Sequence, residues 1–239
     1  MKARASIIAR VQQDGTTHLA TLAGEAPLLL RRASHPDGLD VARVQLLGGS
    51  AGPIGGDDLA YRVDVGPGAR VEVYSGASSV ALPGPGGAQS NLDYTVRVGA
   101  GGRLAWAPEP LIAARGANHA ACARIDVAED AELLWREGVV LGREGQTTGS
   151  VRSRLRISRA GRVVFDHEFA AGPRYPGSLG PAGTGGYRRV TLTAEFGRGA
   201  ARPTVHLSFT GAEAADELPD LTHTFEVGSW PARETADAE

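Results

Sequence analysis

The chain has 239 residues, 42% of them hydrophobic, enough for one large or two small domains around a substantial core. A net charge of −2 excludes a global attraction to nucleic acid or anionic lipid. Lys2 is the only lysine, which excludes Schiff-base and P-loop lysine chemistry.

Cys122 is the single cysteine, so no internal disulfide can form, as suits a reducing compartment. Its neighbours Ala120, Ala121 and Ala123 point to a small buried thiol rather than a nucleophile. Arg4 and Arg10 interrupt the N-terminal stretch too early for a signal-peptide apolar region. No run approaches the ~20 apolar residues of a membrane span. The expectation is a soluble cytoplasmic protein.

Short alternating runs punctuated by 33 glycines and 14 prolines indicate an all-β chain with little helix. Ser6-Ile7-Ile8-Ala9-Arg10-Val11 and His18-Leu19-Ala20-Thr21-Leu22 flank Asp14-Gly15 and read as a first hairpin. Residues 28–32 and 41–47 read as two further strands. A glycine-rich loop, residues 48–56, then leads into Asp57 and Asp58. Leu59-Ala60-Tyr61-Arg62-Val63-Asp64-Val65 and Arg70-Val71-Glu72-Val73-Tyr74 read as a hairpin about Gly66-Pro67-Gly68-Ala69.

That unit repeats. Val63-Asp64-Val65-Gly66-Pro67-Gly68-Ala69-Arg70-Val71 recurs as Val96-Arg97-Val98-Gly99-Ala100-Gly101-Gly102-Arg103-Leu104. It recurs again as Ile125-Asp126-Val127-Ala128-Glu129-Asp130-Ala131-Glu132-Leu133, with a weaker copy running from Leu155 to Val163. A period of about 30 residues belongs to stacked supersecondary units, each unable to bury its apolar face alone. The expected fold is all-β: stacked β-hairpins forming a β-solenoid-like or sandwich body rather than a closed barrel, in one domain over residues 1–230.

Further on, Arg152, Arg154 and Arg156 share one face of a strand, against Val151, Ser153, Leu155 and Ile157 on the other. Its partner strand alternates Asp166 and Glu168 with Val163, Phe165, His167 and Phe169, so cross-strand ion pairs are expected. The arginine face is either a solvated, salt-bridged surface or a partner-docking patch. Residues 173–186 read as a loop; 187–196, 204–210 and 222–227 as strands; 211–220 as room for one helical turn. Residues 231–239 read as a disordered polar tail.

Gly48-Gly49-Ser50-Ala51-Gly52 matches the G-x-S-x-G pattern of a nucleophile elbow, but Gly52-Pro53-Ile54-Gly55-Gly56 cannot open the helix that motif requires. The six histidines are scattered, with no pair at ligand spacing. Carboxylates recur at element edges instead: Asp57 after the glycine loop, Glu109 between Pro108 and Pro110, and Glu137 before Gly138. The two prolines restrict the backbone around Glu109 and so fix where its side chain points.

In order along residues 5–169, these stretches resemble the UreD (UreH) family of urease accessory proteins. The matching features are Gly56-Asp57 with Leu59, the V-x-V-x-x-Gly-Ala turn, and Leu104 with Pro108-Glu109-Pro110-Leu111-Ile112. Gly142-Arg143 and a closing strand pair with Asp166 complete them. The family's Thr-Thr-Gln-rich strand is replaced by Tyr74-Ser75-Gly76-Ala77-Ser78-Ser79-Val80, and its C-terminal helical segment has no clear counterpart after Gly211. The resemblance implies an all-β stack of hairpins with a pair of helices. It implies a chaperone rather than an enzyme: a scaffold that binds urease apoprotein, UreF and UreG and assists nickel insertion through an internal channel. No cofactor is tightly bound on this reading, and Ni2+ passes transiently. Asp57, Glu109 and Glu137 would then be channel or mouth carboxylates, with Arg143 orienting one of them. Arg152, Arg154 and Arg156 would be the docking face. The alternatives are a β-repeat binding module without metal delivery, and a serine hydrolase acting through Ser50.

Overall fold

The computed structural model describes residues 1–34, 40–197, 203–212 and 221–226. In chain order the strands are β1 (Lys2–Val11), β2 (Thr17–Gly24), β3 (Leu28–Ala33), β4 (Ala42–Gly48), β5 (Asp58–Val65) and β6 (Arg70–Ser75). Next come β7 (Val80–Ala81), β8 (Ser90–Val98), β9 (Arg103–Ala107), β10 (Leu111–Ala113), β11 (Asn118–Val127) and β12 (Glu132–Leu141). The chain closes with β13 (Ser150–Arg159), β14 (Arg162–Ala171), β15 (Tyr187–Phe196), β16 (Thr204–Ala212) and β17 (Leu221–Glu226). Among the described residues a 3-10 turn at Pro85–Gly87 is the only helical element, so the implied pair of helices is not among them. No helix there is long and apolar enough to cross a membrane. The helical turn expected within 211–220 falls mostly outside the described residues, and the tail at 231–239 falls entirely outside them.

Two sheets pack face to face. One has seven strands in the order β14-β13-β11-β8-β5-β1-β2. The other runs β17-β16-β15-β12-β9-β6-β4-β3, with β10 and β7 attached beside β12. The solenoid-like, all-β body is the one expected. Its repeating unit, however, is not a hairpin. β5 pairs in parallel with β1 and β8 in the first sheet, while β6 pairs in parallel with β4 and β9 in the second. Each turn between them is a corner that carries the chain from one sheet to the other. Alternation alone does not distinguish the two arrangements. Val63, Val65, Val71 and Val73 are all buried in one core, as they would be on one face of a hairpin.

The corners explain why the repeat is so regular. Residues 66–69, 99–102 and 128–131 each close by a bond from the fourth N–H to the first carbonyl, at 3.1, 2.9 and 3.2 Å. Pro67 supplies a fixed φ and Gly68 a positive one of 69°, the pairing a tight turn favours at its two central positions. Successive corners are also stitched together, with Gly68 N–H donating to the Ala100 carbonyl and Ala128 N–H to that of Val98. Val63, Val96, Ile125 and Ile157 therefore lie in one row. The weaker fourth copy is displaced, since its sequence match placed Leu155 where Ile157 stands. It is also a true hairpin, as is the β1–β2 pair about Asp14-Gly15.

In the β13–β14 hairpin a bulge opposes Ile157–Ser158 to Phe165 and Val163, leaving Val164 as the extra residue. Val163, expected inside, is consequently exposed, and Val164 packs on the core. Cys122 is likewise not a core thiol. It is half-buried, and its register partners Asp93 and Arg154 carry the sheet's outer charges.

Candidate functional site

At the end opposite the corners the two sheets part around a cavity of about 510 Å³. It lies where strands of the first sheet begin and those of the second end. Register explains why space opens there. Leu59, Leu92, Ala121 and Ser153 form one row across β5, β8, β11 and β13, so two leucines give way to an alanine and a serine.

Below that row the repeat builds an aromatic floor. Tyr61 and Tyr94 are cross-strand neighbours, stacked with centroids 5.5 Å apart and planes 9° apart. Trp106 and Trp135 are the equivalent pair in the other sheet, stacked at 5.0 Å and 13°. The pairs meet edge to face, Tyr94 touching both tryptophans at 5.5 Å.

Glu137 stands on this floor. Trp135 Nε1 donates to its Oε1 at 2.9 Å and Ser153 Oγ to its Oε2 at 2.8 Å, so each carboxylate oxygen is held by a neutral donor. Burial raises its pKa above the ordinary value, and the two hydrogen bonds oppose that rise. Among the described residues no cationic side chain forms an ion pair with it. Burial also raises the Tyr94 hydroxyl, and the nearby Glu137 carboxylate adds to that rise. His119 lines the cavity as well, almost wholly buried, its Nδ1 2.9 Å from Ser90 Oγ. Burial pushes its pKa down to about 4, so it is neutral at ordinary pH.

Glu109 and Arg143 line the same cavity and are exposed, which places them at its rim. The Glu109 N–H donates to Ser75 Oγ at 2.9 Å, anchoring the proline-flanked arm to the end of β6. Gly138 lets this arm approach β12: a Cβ there would stand 3.0 Å from Pro110 Cβ. Arg143 makes no ion pair with Glu109 or Glu137 among the described residues, and its carbonyl accepts from Arg188. The cavity thus brings together Glu109, Glu137 and Arg143.

Asp57 is not with them. It is 5% exposed, and its Oδ1 accepts from the Met1 ammonium at 2.6 Å. Its Oδ2 accepts from Ile54 N–H at 2.9 Å, and its carbonyl accepts from Asn91 N–H at 2.8 Å. Asp57 thus ties the glycine loop to the start of β1 through its carboxylate and to β8 through its backbone carbonyl. Ser50 is exposed, its hydroxyl donates to the Ala51 carbonyl at 3.4 Å, and the chain after it enters a bridge at Ile54 rather than a helix. The nucleophile-elbow context is missing.

Arg152, Arg154 and Arg156 are all exposed on the outer face of β13, whose inner face carries Ser153 into the cavity. Arg154 forks onto Asp166 with two bonds of 2.8 Å, and Arg156 lies 3.9 Å from the same carboxylate. The Arg154 hydrogen bond holds the Asp166 carboxyl below its ordinary pKa. Arg152 has no ion pair among the described residues.

Tyr94, His119, Trp135 and Ser153 did not stand out in the sequence. A signal for the four clustered aromatic residues was present: Tyr61 and Tyr94 precede Val63 and Val96 by two positions, and Trp106 and Trp135 follow Leu104 and Leu133 by two.

A family model for UreD urease accessory proteins matches residues 2–221. The chain belongs to the UreD family. It is 43% identical over 203 residues to the urease accessory protein UreD of Streptomyces avermitilis, covering 83% of this chain and 80% of that protein. It is 41% identical over 195 residues to UreD 3 of Streptomyces griseus subsp. griseus, covering 80% and 76%. With UreD of Frankia casuarinae it shares 38% over 215 residues, covering 80% and 67%. Family membership places this UreD protein among accessory proteins of urease rather than among catalysts.

Proposed function

We propose that this chain is a metallochaperone scaffold that binds urease apoprotein together with UreF and UreG and assists nickel insertion into the urease active site. Its own contribution is interaction and passage, not catalysis. The observation that carries this reading is the cavity between the sheets with Glu137 inside it and Glu109 at its rim. Among the described residues no three His, Cys, Asp or Glu side chains converge as a metal set. A passage must release the ion it admits, and isolated carboxylates with water meet that requirement better than a closed cage of nitrogen and sulfur ligands. On this reading Glu109 meets the ion at the rim, Glu137 meets it inside, and the arginine face of β13 docks UreF.

The test is nickel loading of urease in a reconstituted system containing this protein, UreF and UreG. Glu137→Ala is expected to lower the rate of urease activation at least tenfold while the protein still captures UreF in a pull-down. Unchanged activation would overturn the passage. Reversing the charge of Arg152, Arg154 and Arg156 is expected to abolish UreF capture, and retained capture would remove that face from the interface.

A further inference from the structure

We propose that the cavity is also a binding site for a small planar organic cation of the amidinium or guanidinium type, held by the Glu137 carboxylate and seated against the Tyr94 ring. Glu137 is a carboxylate inside the protein with two hydrogen-bond donors, both neutral, and no cationic partner among the described residues. Each of its oxygens keeps a lone pair beyond the one already used. A planar cation with two N–H groups can meet both oxygens at once, the fork geometry that makes such pairs strong.

Charge and surface agree with that ligand. His119, which also lines the interior, stays neutral and does not compete for the carboxylate. Of the four clustered rings, Tyr61, Tyr94 and Trp106 line the cavity; Tyr61, Trp106 and Trp135 are buried, whereas Tyr94, near Glu137, is only partly buried. An aromatic ring next to a carboxylate favours a weakly hydrated, delocalised cation over a compact, strongly hydrated one. The volume, about 510 Å³, is within the range of small-molecule pockets, and most of its lining is apolar with few polar groups converging. This site requires neither nickel nor a partner protein, and its test is separate from theirs.

The probe is benzamidine, with benzamide as its uncharged isostere, titrated into the purified full chain by isothermal calorimetry near neutral pH. Benzamidine is expected to bind with one-site saturation, and benzamide at least tenfold more weakly. Glu137→Gln, which keeps the shape and removes the charge, is expected to weaken benzamidine at least tenfold. Asp126→Asn, which removes a carboxylate from the outer face of the sheet, is expected to change nothing. Equal binding of benzamide, or no saturable binding of benzamidine up to about 10 mM, overturns the proposal without any variant being needed. Full benzamidine binding by Glu137→Gln with a native circular dichroism spectrum overturns it as well.

Discussion

The two ends of the sandwich solve the same problem in opposite ways. At the corner end the chain passes between sheets in four residues, and each corner hydrogen-bonds to the next. At the cavity end the return paths are long and unalike, from Ser75 to Ser90, from Ala107 to Asn118 and from Leu141 to Ser150. The corner end is filled by the repeated valines and leucines. The cavity end keeps a carboxylate, an imidazole and two phenols among apolar walls. Repetition yields a rigid frame, and departure from it leaves room for chemistry, because loops tolerate change that a stacked core does not.

The aromatic floor joins the two regimes, and removing part of it is the most damaging single change. Trp135 is fully buried, stacked on Trp106, and bonded to Glu137. Trp135→Ala is expected to cost about 3–5 kcal/mol, read as a fall in the urea midpoint at unchanged slope. A loss under about 1 kcal/mol would mean that the floor is not continuous with the frame.

Acid should separate the ends next, because the perturbed buried groups belong to the cavity. His119 has a folded-state pKa of about 4 against an ordinary 6.5. The unfolded chain therefore takes up a proton first as pH falls, and stability drops between about pH 6.5 and 4, by roughly 3 kcal/mol in all. His119→Asn is expected to flatten that decline in a series of denaturation curves. Glu137 runs the other way. Its folded pKa is raised, so its contribution is intact below the ordinary value of 4.5 and is lost as pH rises through the folded pKa. Glu137→Gln is expected to stabilise the protein at pH 7 and to leave it unchanged near pH 4. A pH profile unmoved by either substitution would mean that burial at this end is not what perturbs these groups.

The corner end was the more legible in sequence, and its connectivity still escaped. The repeat, its period and its inward faces are all local patterns, and three copies lie in the register that their alignment implies. Whether a turn reverses a strand within one sheet or passes it to another depends on which neighbour completes the hydrogen bonds, and that neighbour lies a full repeat away in the chain. At the cavity end Glu109, Glu137 and Arg143 were legible as isolated residues. Their meeting in one cavity was not, since it depends on how rows of different strands align. Asp57 illustrates the limit. A carboxylate after a glycine loop reads the same whether it faces a cavity or, as here, braces the loop through Met1 and Ile54.

Glycine substitutions test the comparison more gently. A Cβ at Gly102 would lie 2.8 Å from the Gly99 carbonyl oxygen and 3.1 Å from that of Gly66, both backbone atoms of stacked corners. Gly102→Ala is expected to cost about 1–3 kcal/mol, because neither neighbour can move alone. Gly86, on the path back to the cavity end, has nothing within 4 Å of its would-be Cβ and a φ of 62°. Gly86→Ala carries only the left-handed backbone cost, about 1 kcal/mol. Equal losses in matched thermal melts would erase the distinction between a stitched end and an unstitched one.

The smallest expected effect on stability lies outside both ends, on the outer face of β13. Arg154 and Asp166 make the best-formed ion pair on that face, with two short bonds, yet both side chains stand in solvent. Water and salt screen such a pair, and its attraction is offset by the entropy of holding two long side chains still. Arg154→Ala is therefore expected to leave the thermal midpoint unchanged within measurement. If the face docks UreF, the same variant must weaken UreF capture, and more so at low salt, where exposed charges act over longer distances. A lowered midpoint with undiminished capture would make the pair a structural clamp, and the outer face would then belong with the frame.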